Sequence, residues 1–260
     1  MKKLPVFIIF VVSVLLASSV SAQDAKPATL SDIMEQIHSW RKATDFKASG
    51  RLVKVGEAGD RKSYRIAIRA RSFADGLKVF CAVTDPSPSR VRLLLETRAS
   101  GGATIRTGHA GDAAPKEFPS ANFGDALLSS DFSFEDLMDN QFLWKNQTLL
   151  EKAQCGARQC YVIKSEPAAA DHSHYSSVTS WIDQKIYFPV RIEKTVKASG
   201  AVKVFTNYGL RQSKGAWSAS QIEVEIKGKP GSSLLVITGG AEKANLAASQ
   251  FDPALLTKPD

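Results

Sequence analysis

Apolar and polar residues alternate in several stretches of this chain, and this alternation constrains its fold more than any other feature. Tyr64, Ile66 and Ile68 occupy every second position, and Arg65 and Arg69 lie between and beside them. The same two-residue period returns in the stretch IEVEIK at 222–227. Successive side chains of a β-strand point to opposite faces, so this pattern predicts strands with one buried and one solvated face. Such strands are typical of antiparallel sheets.

Eleven strand-like segments follow one another, separated by turn-forming stretches such as DPSPS and GKPGS. A sheet of that many strands tends to curl, so we predict a mainly β protein with few helices, built on a curled antiparallel sheet. The stretch 99–124 is the least regular and is predicted to be a long surface loop. The predicted strands are 46–56, 62–73, 77–84, 90–98, 148–154, 160–165, 178–183, 190–196, 203–208, 220–227 and 233–238.

The first 22 residues have the order of a secretory signal peptide. Lys2 and Lys3 precede the uncharged run LPVFIIFVVSVLL, and small residues ending in Ala22 follow it. The run is shorter than the roughly 20 apolar residues that span a bilayer. We therefore predict cleavage between Ala22 and Gln23, and export of residues 23–260 as a single soluble domain.

The chain is basic, with a formal net charge of +8 at pH 7. Only two of its lysines lie in the predicted signal peptide, so the exported part keeps a positive balance. That balance suits anionic lipid headgroups or acidic partners. No basic block with interleaved aromatic residues is present, which argues against nucleic acid as a partner.

Two of the three cysteines frame the stretch CGARQC. Gly156 allows a tight turn, so Cys155 and Cys160 are expected to face each other across a hairpin. Because an exported protein meets oxidising conditions, we predict a structural disulfide between them. The spacing does not fit a C-x-x-C redox motif, and a second pair of zinc ligands is missing. Cys81 is predicted to be a buried free thiol.

A helix is predicted at 29–43, where apolar residues recur at helical spacing. Thr29 and Asp32 have the pattern of a capping box at its start. The apolar stripe of this helix must cover another apolar surface, and it consists of Leu30, Ile33, Met34, Ile37 and Trp40.

The stretch SSDFSFEDL, residues 129–137, contains three acids and admits two interpretations. In a helix start, Ser133 is the N-cap, Asp136 completes a capping box, and the helix dipole favours the acids of the first turn. In a catalytic site, Asp131 and Glu135 would converge in a pocket, and nothing in the sequence provides one. We favour the helix start.

Other candidate chemistry is weaker. His172 and His174 lie two residues apart in a polar stretch, which is typical of a solvated loop, and no third metal ligand is evident. An exported hydrolase that uses Asp131, Glu135 or His172 is the enzymatic alternative. The polar face of one predicted strand carries three arginines that are either solvated or in contact with phosphate headgroups, namely Arg65, Arg69 and Arg71.

Four stretches stand out together, namely LLSSDFSFEDLMD, CYVIKS, VTSWIDQKIYFPVRIEKTVK and FDPALL. They resemble the outer-membrane lipoprotein-sorting proteins, the LolA-like family, and cover about the C-terminal half of the chain. The resemblance implies an unclosed antiparallel β-barrel with a helical lid over an apolar cavity. It also implies a periplasmic carrier of acyl chains, or a related binding module, that is not an enzyme and has no cofactor or metal.

We therefore expect a lipid or lipidated protein to place an acyl chain between the helix and the sheet. An inner-membrane transporter is the expected partner, and the carrier is expected to be a monomer. The alternative is an envelope sensor or adaptor of the same fold, which detects lipid or lipoprotein and signals to a membrane partner. The predicted cavity residues are Ile33, Met34, Ile37 and Trp40 on the helix and Tyr64, Ile66, Ile68, Val79 and Leu93 on the sheet.

Overall fold

A computed structural model describes residues 28–86, 90–98, 102–213 and 216–259. The predicted signal peptide and its cleavage site at Ala22 and Gln23 lie outside the described residues. The described part begins with helix α1 (Leu30–Lys42), and the predicted capping box between Thr29 and Asp32 is present. No helix within the described residues is long and apolar enough to cross a membrane.

Strands make up most of the remaining fold. The first six are β1 (Asp45–Val55), β2 (Arg61–Phe73), β3 (Gly76–Asp85), β4 (Arg92–Thr97), β5 (Ala103–Gly108) and β6 (Lys116–Phe118). The others are β7 (Asn146–Leu149), β8 (Ala153–Cys155), β9 (Arg158–Glu166), β10 (Tyr175–Asp183), β11 (Pro189–Val196), β12 (Val202–Tyr208), β13 (Arg211–Ser213), β14 (Ala216–Ser218), β15 (Gln221–Ile226) and β16 (Ser232–Glu242).

Within the described ranges, fourteen of these strands form one antiparallel sheet, and β13 and β14 form a separate hairpin. The strand order is β6-β5-β4-β3-β2-β1-β16-β15-β12-β11-β10-β9-β7, with β8 also paired to β9. Strand β16 joins the two halves of the sheet because it pairs with β1 on one side and β15 on the other. The end strands β6 and β7 are not paired with each other, so the sheet is curled but not closed. This confirms the predicted fold class.

Two predictions about the strands are wrong. The stretch 99–124 is not one long loop, because it contains β5 and β6, and Ile105 of β5 is fully buried. Each of these strands contributes only one large apolar residue, Ile105 in β5 and Phe118 in β6. Strand pairing holds them in place, because β5 pairs with β4 and β6 pairs with β5. The predicted strand 148–154 is divided into β7 and β8, both of which pair with β9.

The two faces of the sheet are covered by different parts of the chain. The inner face carries the large apolar cluster that includes Ile66 and Leu93, and the outer face carries Phe80 and Leu94. The C-terminal segment, residues 244–259, packs on the outer face in two short 3₁₀ turns. Its buried side chains are Leu246, Phe251 and Leu256.

Arginines of the outer face hold this C-terminal segment. The Arg69 guanidinium lies 3.8 Å from the centroid of the Phe80 ring, and its Nε donates a hydrogen bond to the carbonyl of Gln250 at 2.6 Å. Arg71 donates to the carbonyl of Leu246. Arg69 and Arg71 are therefore not simply solvated, because each hydrogen-bonds to the C-terminal segment. Arg65, on the same face, is exposed.

Candidate functional site

The inner face of strands β2, β3 and β4 forms an apolar wall. Ile68 is paired with Cys81 and Cys81 with Leu93, so one row of side chains crosses the three strands. The sheet residues predicted for the cavity all belong to this wall. Four of them are buried and Ile68 is partly buried, and the full set is Tyr64, Ile66, Ile68, Val79 and Leu93.

Residues 120–144, here called the lid segment, cover this wall. The helix predicted after Ser133 is reduced to two separate 3₁₀ turns, Glu135–Leu137 and Asn140–Phe142. Asp139 lies between the turns with a left-handed backbone (φ 48°), which prevents a continuous helix. The lid segment packs several buried side chains into the apolar cluster of the wall, namely Phe123, Leu127, Phe132, Met138 and Trp144.

Helix α1 covers a different surface from the predicted one. Its buried residues Ile33, Met34 and Ile37 pack against Phe142 of the lid segment. The same cluster includes Tyr161 and Ile163 of β9 and Ile182 of β10. Trp40 packs at the edge of the same cluster, and its indole N–H donates to the carbonyl of Tyr187 at 3.2 Å. The predicted pairing of the helix with the β2–β4 wall is therefore wrong. An apolar stripe shows that a helix covers a surface, but it does not show which one.

A small cavity of about 40 Å³ remains between the wall and the lid segment. Its lining is entirely apolar and includes Ile66, Ile68 and Leu93 of the predicted set. Cys81 also lines it, and burial raises the pKa of that thiol to about 12. From the lid segment, the lining side chains are Leu127, Leu128, Phe132 and Leu137.

A larger cleft of about 480 Å³ lies on the outer face, between the side chains of β3, β4 and β5. It is lined by charged and hydroxyl-bearing residues, including Lys78, Glu96 and Arg106. Glu96 forms ion pairs with both cations, at 3.1 Å to Lys78. This cleft is lined by polar and charged groups, whereas the cavity on the inner face is lined by apolar side chains.

The three acids of SSDFSFEDL connect the lid segment to the sheet. Asp131, the first of them, accepts hydrogen bonds from the Nζ of Lys54 on β1 at 2.6 Å and from the hydroxyl of Ser233 on β16 at 2.7 Å. Its own backbone N–H donates to the same serine hydroxyl at 2.8 Å. The middle of the lid segment is thereby fixed at the centre of the sheet.

Glu135 fixes the lid segment to the start of β10. Its carboxylate accepts hydrogen bonds from the hydroxyl of Ser173 and, at 3.0 Å, from the backbone N–H of His174, and it pairs with the His174 ring. Burial opposes the ionisation of Glu135, but these hydrogen bonds outweigh that effect and lower its pKa. The second histidine of the pair, His172, is exposed.

Asp136 is the most deeply buried of the three acids. Its carboxylate accepts hydrogen bonds from the Tyr175 hydroxyl at 2.6 Å, from Lys194 Nζ at 3.0 Å and from Lys203 Nζ at 3.3 Å. It also accepts from the backbone N–H of Ser133 at 2.8 Å, which is the part of the predicted capping box that forms. Burial alone would raise the pKa of Asp136, but the two ammonium groups hold it well below its usual range.

Neither of the two interpretations of this stretch describes the structure. The carboxylates neither converge on one another nor begin an α-helix; each is satisfied by donors from the sheet or its loops. His174 Nε2 is buried without a hydrogen-bond partner among the described residues, and a Cβ on Gly124 would touch its ring. Within the described ranges no three histidine, cysteine or acidic residues are grouped to hold a metal.

The basic partners of the lid segment were missed in the sequence, although they leave a signal there. Lys194 lies two residues after Ile192 in β11, and Lys203 lies two residues before Phe205 in β12. Both lysines therefore point to the apolar inner face. A lysine at an inward position of an alternating strand indicates a buried charge that requires an anion.

The predicted disulfide is absent. All three cysteines lie in described stretches, and all three are free thiols. Gly156 allows the turn as expected, with φ of 60°, but Cys155 is paired with Arg158, whereas Cys160 is paired with Ala153. The two cysteines are thus offset along the hairpin. Burial, followed by a hydrogen bond with Cys155, raises the pKa of Cys160.

Residues 113–258 match the model of a protein family whose description is "Uncharacterized protein". This stretch is more than half of the chain. The chain belongs to this family. No curated protein matches it in sequence.

Solved structures define the fold more closely. An outer membrane lipoprotein-sorting protein domain from Vibrio parahaemolyticus is 17% identical with a TM-score of 0.77, over 86% of this chain and 97% of that one. A DUF1329 family protein from Desulfovibrio piger is 14% identical with a TM-score of 0.78, over 87% and 97%. A LolA superfamily protein from Nitrosomonas europaea is 16% identical with a TM-score of 0.68, over 86% and 97%. The chain therefore has a LolA-like fold, as its sequence resemblance predicted.

Proposed function

We propose that this protein binds the acyl chain of a lipid or lipidated protein between the inner wall and the lid segment, and carries it without chemical change. The observation that supports this most is the separate construction of the lid segment. Its apolar side chains face an apolar wall, while polar contacts with the sheet hold it through Asp131, Glu135 and Asp136. If these few polar contacts were broken, the apolar side chains of the lid segment and of the wall would be exposed.

The volume of the cavity decides how binding would occur. Pockets for small ligands usually measure about 300–1,000 Å³, and the space under the lid segment is about 40 Å³. On this proposal the described structure is a closed form, and an acyl chain enters only as the lid side chains leave the wall. Each methylene buried in their place contributes about 0.8 kcal/mol, so a long chain offsets their departure.

The backbone of the lid segment is suited to such a movement. Leu128 and Ser129 have left-handed φ values of 53° and 60°, and Asp139 has one of 48°. A non-glycine residue in this conformation costs about 1 kcal/mol or more. These residues flank the part that contains the three acids. We propose that they are the hinges, because leaving this conformation relieves strain.

The location and partners follow from the same proposal. The predicted signal peptide and the LolA-like fold support export to the periplasm and a single domain over residues 23–260. There the protein would act as a monomer and receive its cargo from a transporter in the inner membrane. The chemistry of such transport requires no cofactor, because no covalent bond changes.

The proposal predicts that filling the cavity weakens acyl-chain binding. Cys81→Phe places a ring between the wall and the lid segment, in space that two or more methylenes of the ligand would occupy. At about 0.8 kcal/mol for each methylene, affinity for a fluorescent fatty-acid probe should fall about tenfold or more. The measurement is a fluorescence titration, with thermal unfolding to verify the fold.

Cys81→Ala is the matched control, because it removes the same thiol and adds no volume. This variant should bind the probe at least as tightly as the wild type. Equal probe affinity in Cys81→Phe and Cys81→Ala would place the ligand elsewhere. Absence of saturable binding to the wild type would contradict the proposed function itself.

A further inference from the structure

Two lysines lie inside the apolar inner face, directly opposite each other. Lys194 of β11 and Lys203 of β12 are cross-strand partners, and they are only 2% and 9% exposed. Like charges at opposed positions of a sheet repel each other. A buried ammonium group is also costly without a counter-ion. This pair is therefore stable only while an anion lies between the two groups.

That anion is supplied by the lid segment and not by the sheet. Among the described residues, Asp136 is the carboxylate that hydrogen-bonds to both ammonium groups, at 3.0 Å and 3.3 Å. The neighbouring acid Glu135 is engaged with Ser173 and His174. When the lid segment leaves the wall, Asp136 leaves with it. The two lysines then face the opened interior as a pair of unneutralised cations.

The lysine pair lies close to the apolar cavity and is separated from it by the ring of Phe205. Lys194 Nζ lies 4.7 Å from the centroid of the Phe205 ring, and that ring is 6.0 Å from the ring of Phe132, which lines the cavity. The Tyr175 hydroxyl, which donates to Asp136 at 2.6 Å, adds a third donor at the same point. An amphiphile with its tail along the wall would therefore bring its headgroup to the two lysines.

We propose that Lys194 and Lys203 form a headgroup site for an anionic amphiphile, whose phosphate or carboxylate replaces the Asp136 carboxylate when the lid segment opens. This inference rests on the proposed acyl-chain binding and adds the class of the cargo. A neutral amphiphile leaves both cations unpaired, whereas an anionic one restores the contacts that Asp136 made. Binding thus favours anionic over neutral headgroups at equal chain length.

The test compares two competitors with the same acyl chain, a lysophosphatidic acid and a monoacylglycerol, for displacement of a fluorescent fatty-acid probe. The wild type should bind the phosphate-bearing lipid about tenfold more tightly or better, as expected for a charge-assisted contact. Lys203→Met should lose this preference. Lys54→Met is the matched control, because it breaks the other ion pair of the lid segment, with Asp131, and should keep the preference. Inorganic phosphate alone, without a tail, should displace no probe.

Equal affinities of the wild type for the two lipids would overturn the headgroup site and leave acyl-chain binding intact. If inorganic phosphate displaced the probe at the same concentration as the lysophosphatidic acid, the lysines would bind a free anion. This result would also overturn the headgroup site. An equal loss of both lipids in Lys203→Met would reduce the lysine to an anchor of the lid segment. Failure of every acyl ligand to bind the wild type would remove the proposed function instead. The wild-type comparison keeps the proposal falsifiable if Lys203→Met does not fold.

Discussion

Asp136→Asn is expected to lower the free energy of unfolding by about 3 kcal/mol or more. The substitution keeps the shape of the side chain and removes its charge. Lys194 and Lys203 then remain buried opposite each other without a counter-ion. Removing one member of a buried ion pair is costly because the charge that stays behind is neither hydrated nor paired. Urea unfolding at neutral pH measures the difference.

Asp131→Asn provides the matched control in the same lid segment. Its partner Lys54 is less buried and can turn towards water, so the loss should be about 1 kcal/mol. Adding Lys203→Met to Asp136→Asn should recover part of the larger loss. If Asp136→Asn costs no more than Asp131→Asn, the lysine pair does not depend on this carboxylate.

The same comparison has a defined dependence on pH. The pKa of Asp136 is depressed in the folded protein, so its contribution is complete above the unfolded value of about 3.9. The contribution is lost as the pH falls from there towards the folded pKa. The difference between the wild type and Asp136→Asn should therefore narrow below about pH 4.

Phe251→Ala is the second change with a large expected effect, and it acts on the outer face. Phe251 is 2% exposed and meets Phe73 edge-to-face, with ring centroids 5.6 Å apart. Truncating a buried phenylalanine to alanine costs about 3–5 kcal/mol. The loss should also loosen the C-terminal segment from Arg69 and from Phe80. Urea unfolding gives the loss, and native-state proteolysis shows whether the segment is released first.

Phe251→Leu keeps most of the buried volume and should cost less than about 1.5 kcal/mol. A cost for Phe251→Ala near that of the leucine variant would mean that the C-terminal segment contributes little to the fold. Proteolysis at other loops before residues 244–259 would lead to the same conclusion.

The sequence predicted the sheet well because alternation reports directly on a strand with two unlike faces. Ile66 and Ile68 on β2 and Val224 on β15 lie on the inner face as the pattern required. Strand β5 was missed because its single large apolar residue, Ile105, does not make a pattern. Its position depends on pairing with β4, which is a contact between separate stretches.

Helix α1 and the lid segment, which cover the sheet, were harder to predict because their contacts also join stretches that are distant in sequence. The stripe of α1 was visible, but its partners Ile163 and Ile182 are more than a hundred residues away in sequence. The acids of the lid segment fit a helix start on local rules alone. Only the fold shows that Lys194 and Lys203 come to Asp136 from two other strands.

The most direct test of acyl-chain binding under the lid segment is a photo-crosslinking map. The wild type is irradiated with a fatty acid that carries a diazirine at the end of its chain, and the labelled residues are located by mass spectrometry. We expect saturable labelling of the wall and the lid segment, at positions such as Ile66, Leu93 and Leu128, which line the cavity. Labelling confined to α1 or to the outer face around Phe80, or no saturable labelling, would contradict the account.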